Sequence, residues 1–132
     1  MNIIKKDFEG TYLGIMTTCI YDLTTKKVSN TYANLICKIH KIDDKQYLVE
    51  INNLNTKITT ELMFFESSNG LESFSNQILN KFFYSSNDNN NNNNKLSYAW
   101  SKCMEMSSTT NSNSNVISNG YATLDKACIK CG

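Results

Sequence analysis

At 132 residues the chain is long enough to build a hydrophobic core without disulfide or metal staples, and its length is that of one domain. Thirteen Lys stand against 12 Asp and Glu, for a formal charge of +1, and Arg is absent. The lysines form no basic stripe, so nucleic-acid recognition drops out as a reading.

No stretch approaches the roughly 18 apolar residues that cross a bilayer as a helix. Met1–Asp7 contains no apolar run of signal-peptide length, and the expectation is a soluble, cytoplasmic protein. The five cysteines (Cys19, Cys37, Cys103, Cys128, Cys131) are an odd number in such a chain and read as reduced thiols. Asn (20), Ser (14) and Thr (12) take up about a third of the residues while Pro is missing, a bias that points to an AT-rich genome before it points to a function.

Strand signals dominate from the start. Thr11–Tyr21 is rich in β-branched and aromatic residues and lies between Gly10 and the polar run Asp22–Lys27. Ser29–Lys41 alternates, with Thr31, Ala33, Leu35, Cys37 and Ile39 on one face. A turn at Asp43-Asp44-Lys45 leads into Gln46–Asn52, where Tyr47, Val49 and Ile51 alternate in the same way, so the two segments read as a hairpin. Ile58–Glu66 is the next strand and ends in the turn Ser67–Gly70.

Leu71–Tyr84 mixes two signals. Ile78, Leu79, Phe82 and Phe83 have helical spacing, yet the closeness of the turns favours a strand pair or one long bent strand. Asn87–Asn94 is a low-complexity Asn-rich tract with no apolar surface to offset the entropy of ordering it. Such a tract reads as a solvated loop joining adjacent strands, with Tyr84 and Lys95 close together. Beyond it, Leu96, Tyr98, Trp100, Met104 and Met106 share one face, interrupted by Lys102. A polar loop over residues 107–115 precedes a last strand, Val116–Lys126, in which Ser118-Asn119-Gly120 resembles a turn.

Seven or eight short strands in sequence specify an all-β chain, with residues 1–132 as one domain paired as an antiparallel meander. An open meander leaves two sticky edges, and closure into a small up-and-down barrel removes them. A β-sandwich is the alternative. The opening Asp7-Phe8-Glu9-Gly10-Thr11-Tyr12 is similar to the Gly-x-Trp start of lipocalin-like barrels, with Tyr12 in the place of Trp. The resemblance spans six residues, lacks the Arg that usually closes such barrels, and carries no binding residue across.

Catalytic signals are thin. Cys128-x-x-Cys131 has neither a second pair nor a nearby His to complete a zinc site. His40, the sole histidine, falls on the polar side of its strand, and Glu61 is the most inward-looking of Glu61, Glu66, Glu72 and Glu105. The aromatic set carries more: Tyr12, Tyr47, Phe64, Tyr98 and Trp100 occupy positions that could all face one interior, as core or as a pocket wall.

The expectation is a non-catalytic barrel that holds a small apolar or amphipathic ligand, with Tyr12, Phe64, Tyr98, Trp100, Lys102 and Met104 as binding residues. Lys102 would greet an anionic head group at the barrel mouth or extend to solvent. The alternatives are a protein–protein interaction or assembly module that uses a sheet face or edge, which would form an oligomer or bind a partner, and an enzyme on a barrel scaffold with Glu61 or His40 as base. No cofactor is implied.

Overall fold

The protein is described by a computed structural model over residues 7–84, 95–102 and 116–127. Eight strands follow one another: β1 (Gly10–Asp22), β2 (Val28–Asp43), β3 (Gln46–Asn53), β4 (Ile58–Ser67), β5 (Gly70–Ser75), β6 (Ile78–Tyr84), β7 (Lys95–Lys102) and β8 (Val116–Lys126). Each pairs antiparallel with the next, and β8 returns to β1 through a register running from Tyr12↔Lys126 to Asp22↔Val116. The sheet is a closed barrel, which sets aside the sandwich. Closure pairs the two terminal strands with each other, so neither β1 nor β8 is left as an edge.

Alternation decides what lies inside. Tyr12, Leu35, Cys37, Ile39, Tyr47, Val49, Phe64, Leu71, Phe82, Leu96, Tyr98, Ala122 and Leu124 are all buried and occupy the inward positions of their strands. Polar neighbours such as Lys38, His40, Glu61 and Lys81 are exposed on the outer wall. The inward-looking Glu61 of the sequence reading is thus corrected: it pairs with Glu50 on the outside, one residue out of phase with Leu62.

The two ends of the barrel differ. At one end Phe8, just ahead of β1, enters the interior and stacks on Tyr84 with ring centroids 4.6 Å apart. Phe8 also meets Tyr47 edge-on at 5.9 Å, and its carbonyl accepts the Tyr12 hydroxyl at 3.0 Å. Phe64, Phe82 and Tyr98 continue this aromatic packing inward, with centroids 5.1 and 4.7 Å apart. Such pairs add about 0.5–1.5 kcal/mol each beyond the area they bury. This end is plugged.

The opposite end carries the β1–β2, β3–β4 and β5–β6 turns. There the wall is incomplete, because β4 pairs with β5 only at Phe65↔Glu72, Glu66↔Leu71 and Ser67↔Gly70. Ile58, Thr59, Thr60 and Glu61 are consequently exposed on both faces of β4.

Residues 71–84 form the strand pair β5–β6, not a helix. Asn76 and Gln77 take φ of 52° and 66° at the turn, the left-handed pair a tight hairpin requires. Ser118-Asn119-Gly120 is no turn; β8 runs through it without a break. The Asn-rich tract 87–94 and the loop 107–115 lie outside the described residues, as do Met104, Met106, Cys103, Cys128 and Cys131. The strands that flank the tract are neighbours, with Tyr84 paired to Leu96 at the plugged end.

Candidate functional site

A cavity of about 380 Å³ occupies the unplugged half of the barrel and opens at its mouth. Met16 of β1, Leu35 of β2 and Ile51 of β3 form one side. Ile58, Thr60 and Leu62 supply the β4 wall, and Ile78, Asn80, Tyr98 and Trp100 of β6 and β7 face them. Asn53, Thr56, Ser75 and Asn76 complete the rim. The lining is predominantly apolar with a few neutral polar groups, the usual make-up of a small-molecule site.

Trp100 is held in place from two sides. Its Nε1–H donates to the Met16 sulfur at 3.2 Å, over the inner face of the intervening β8. Its indole also lies against the backbone of Gly120 on β8, its register partner. A Cβ at Gly120 would overlap the indole Nε1 and Cε2, so only glycine allows this seat. Sequence reasoning missed Gly120 by taking it for a turn residue. An isolated glycine inside a strand also signals close approach of another group, and that was the available clue.

Tyr98 and Asn80 form the polar floor. The Tyr98 hydroxyl donates to Asn80 Oδ1 at 2.6 Å, and both residues are buried. Burial pushes the Tyr98 hydroxyl well above the ordinary tyrosine value, with the neighbouring Cys37 adding to the shift, so it stays a neutral donor at any physiological pH. Cys37 itself is fully buried and its thiol is pushed up to about 12 by desolvation, so it is an inert core residue.

The rim is organised by one turn written twice. Asp22-Leu23-Thr24-Thr25-Lys26 and Asn53-Leu54-Asn55-Thr56-Lys57 follow β1 and β3 respectively. In each, the first side chain's Oδ1 accepts the backbone N–H groups of the third and fourth residues. These distances are 2.9 and 3.3 Å at Asp22, and 3.0 and 3.0 Å at Asn53. The closing lysine then adopts φ of 60° in one turn and 63° in the other. The two amide donors lower the Asp22 pKa below the carboxylate norm. The second turn is also tied to β2, where Leu54 N–H donates to the Asn34 carbonyl and Asn34 N–H to Asn55 Oδ1, both at 2.8 Å. Thr56 is thereby fixed at the cavity rim.

Of the residues expected to bind ligand, the structure brings Tyr98 and Trp100 into the cavity wall. Tyr12 and Phe64 face the interior but are fully buried in the plugged half, away from the lining. Lys102 is exposed at the end of β7, paired with the lining residue Ile78 but outside the lining itself. It extends to solvent. Met104 lies outside the described residues. Met16, Leu62, Ile78 and Asn80, which do line the cavity, were not singled out by the sequence. Each looks like an ordinary strand position until pairing places it opposite the others.

His40 and Glu61 are both exposed on the outer wall, with the barrel wall between them and the cavity. Among the described residues, no three His, Cys, Asp or Glu side chains come together as a metal site. No protein-family model matches the chain, and no curated protein matches its sequence.

Proposed function

We propose that the protein is a non-catalytic intracellular carrier that takes a small apolar or amphipathic molecule into the mouth of its barrel. The observation that carries this reading is the 380 Å³ cavity, lined mainly by Met16, Leu35, Ile51, Leu62, Ile78 and Trp100 and open to solvent. A core built only for stability would fill that volume, because each unfilled space forfeits packing contacts. The plugged half does so with aromatic rings, and the mouth half does not.

Free thiols at Cys19 and Cys37 and the charged side chains of Lys38, Glu61 and Lys81 on the outer wall fit an aqueous, reducing location. The closed meander of eight strands and the Gly10–Tyr12 opening are consistent with a lipocalin-like barrel.

Trp100, the only tryptophan, reports on the site. Titration with retinol, decanoate and Nile red is expected to change its emission saturably for at least one probe. Leu62→Phe, which fills the cavity, should weaken that binding about tenfold or more while circular dichroism stays unchanged. Absence of a saturable response to every probe sinks the carrier reading.

A second reading rests on the outer wall of β2, β1 and β8. Leu13, Ile15, Tyr32 and Tyr121 are exposed there at 44, 59, 64 and 52 %. Thr17 pairs with both Tyr32 and Tyr121, so the two rings flank it on adjacent strands. An assembly role for this face predicts an oligomer by sedimentation that Ile15→Lys dissolves.

A further inference from the structure

Among the described residues three polar side chains are buried, Ser73, Asn80 and Ser97, and of these only Asn80 lines the cavity. It is 3 % exposed. The Tyr98 hydroxyl occupies its Oδ1 at 2.6 Å. Turning the carboxamide over would leave the Tyr98 proton with no acceptor among the described residues, so the hydrogen-bond pattern assigns Nδ2 to the other end. That amide nitrogen has no acceptor among the described residues. It is not sealed off but open to the cavity, where an entering acceptor takes the place of water.

The charge of the lining narrows the choice further. No Lys, Arg, His, Asp or Glu side chain is among the lining residues. An ionised group drawn into such a site loses its hydration and finds no counter-charge. Lys102 cannot supply one at depth, because it is exposed at the end of β7 while Asn80 pairs with Trp100, two residues further in.

We propose that the cavity selects an uncharged, mainly apolar molecule whose carbonyl oxygen accepts a hydrogen bond from Asn80 Nδ2. This rests on the carrier reading and names the class of cargo: compact ketones, aldehydes or esters in preference to acids. Asn80 is the specificity-determining group, and Tyr98 positions it by holding its Oδ1. The apolar walls bind the carbon skeleton without regard to its functional group.

The test uses three probes of one skeleton that do not absorb where Trp100 is excited: 4-tert-butylcyclohexanone, 4-tert-butylcyclohexanecarboxylate and tert-butylcyclohexane. Each is titrated at pH 7.4 by Trp100 emission, with calorimetry alongside. In the unaltered protein the ketone is expected to bind at least tenfold more tightly than the carboxylate. In Asn80→Leu/Tyr98→Phe, which removes both partners together, ketone affinity relative to the hydrocarbon should fall about tenfold, the worth of one hydrogen bond. Retained hydrocarbon binding shows that the variant keeps its cavity.

Carboxylate binding equal to ketone binding overturns the proposal and leaves the carrier reading standing. So does an unchanged ketone-to-hydrocarbon ratio in the variant. Should the variant not fold, the ketone-to-carboxylate comparison in the unaltered protein still decides. Failure of all three probes, by both measurements, overturns the proposal and the carrier reading together.

Discussion

Gly120 shows how one residue can fix a site without touching its contents. The indole of Trp100 needs the space that a side chain at Gly120 would fill, and the Met16 sulfur then receives its N–H. Gly120→Ala is therefore expected to displace Trp100 from the wall. Overpacking of this kind costs about 1–3 kcal/mol, readable as a lower midpoint in urea. It should also shift the emission maximum of Trp100, because the indole loses its sulfur acceptor and its packed face together. An unchanged spectrum with an unchanged midpoint would show that the seat against Gly120 is not what holds the ring. No alternation pattern reveals such a position; the strand signal names Gly120 only as an oddity, and the reason for the oddity sits on β7.

The strands themselves were legible because each is half-buried and its apolar residues recur every second position. Gln46–Asn53 needed nothing more than Tyr47, Val49 and Ile51 to be placed, oriented and paired with β2. Leu71–Tyr84 was harder, since Ile78, Leu79, Phe82 and Phe83 satisfy a helical period as well as a strand of mixed facing. The two-residue turn at Asn76-Gln77 resolves it, and neither residue is the glycine that usually marks such a turn.

The repeated turn is the other element-scale finding. Lys26 and Lys57 both adopt a left-handed conformation that costs an L-residue about 1–2 kcal/mol. Lys26→Gly and Lys57→Gly are each expected to raise stability by up to about 1 kcal/mol, the relief of strain less the added freedom of glycine when unfolded. Thermal or urea unfolding measures it. A loss of stability at both sites would show that the lysine side chains, not the backbone turn, hold these loops.

At the scale of the whole molecule, the barrel separates stability from binding along its axis. Phe8, Tyr12, Tyr47, Phe64, Phe82 and Tyr84 pack one end, and the cavity takes the other. Odd-numbered hairpins turn at the mouth and even-numbered ones at the plug, so the loop after β6 starts from the plugged end, where Tyr84 pairs with Leu96. Deleting Asn89–Asn94 leaves residues enough for a short hairpin loop. The deletion is expected to change the unfolding midpoint by less than about 0.5 kcal/mol, the range of ordinary surface changes. It should leave ligand titrations at Trp100 unaltered. A large loss of stability would mean that the tract contributes to the plug.

By itself the sequence determined the class of the fold, the order of most strands and the inward face of those that alternate cleanly, such as Tyr47, Val49 and Ile51 of β3. All three follow from a period of two and from the short reach of each connection. It also placed Tyr98 and Trp100 among the inward aromatics, but it could not separate those that line space from those that fill it. That distinction belongs to tertiary structure, because a cavity is a property of facing walls: Tyr12 and Phe64 meet Phe8 and Phe82 and pack solid, while Trp100 meets Gly120 and leaves room. The mouth, the donor at Asn80 and the gap beside β4 arise in the same way, from residues brought together by closure of the sheet.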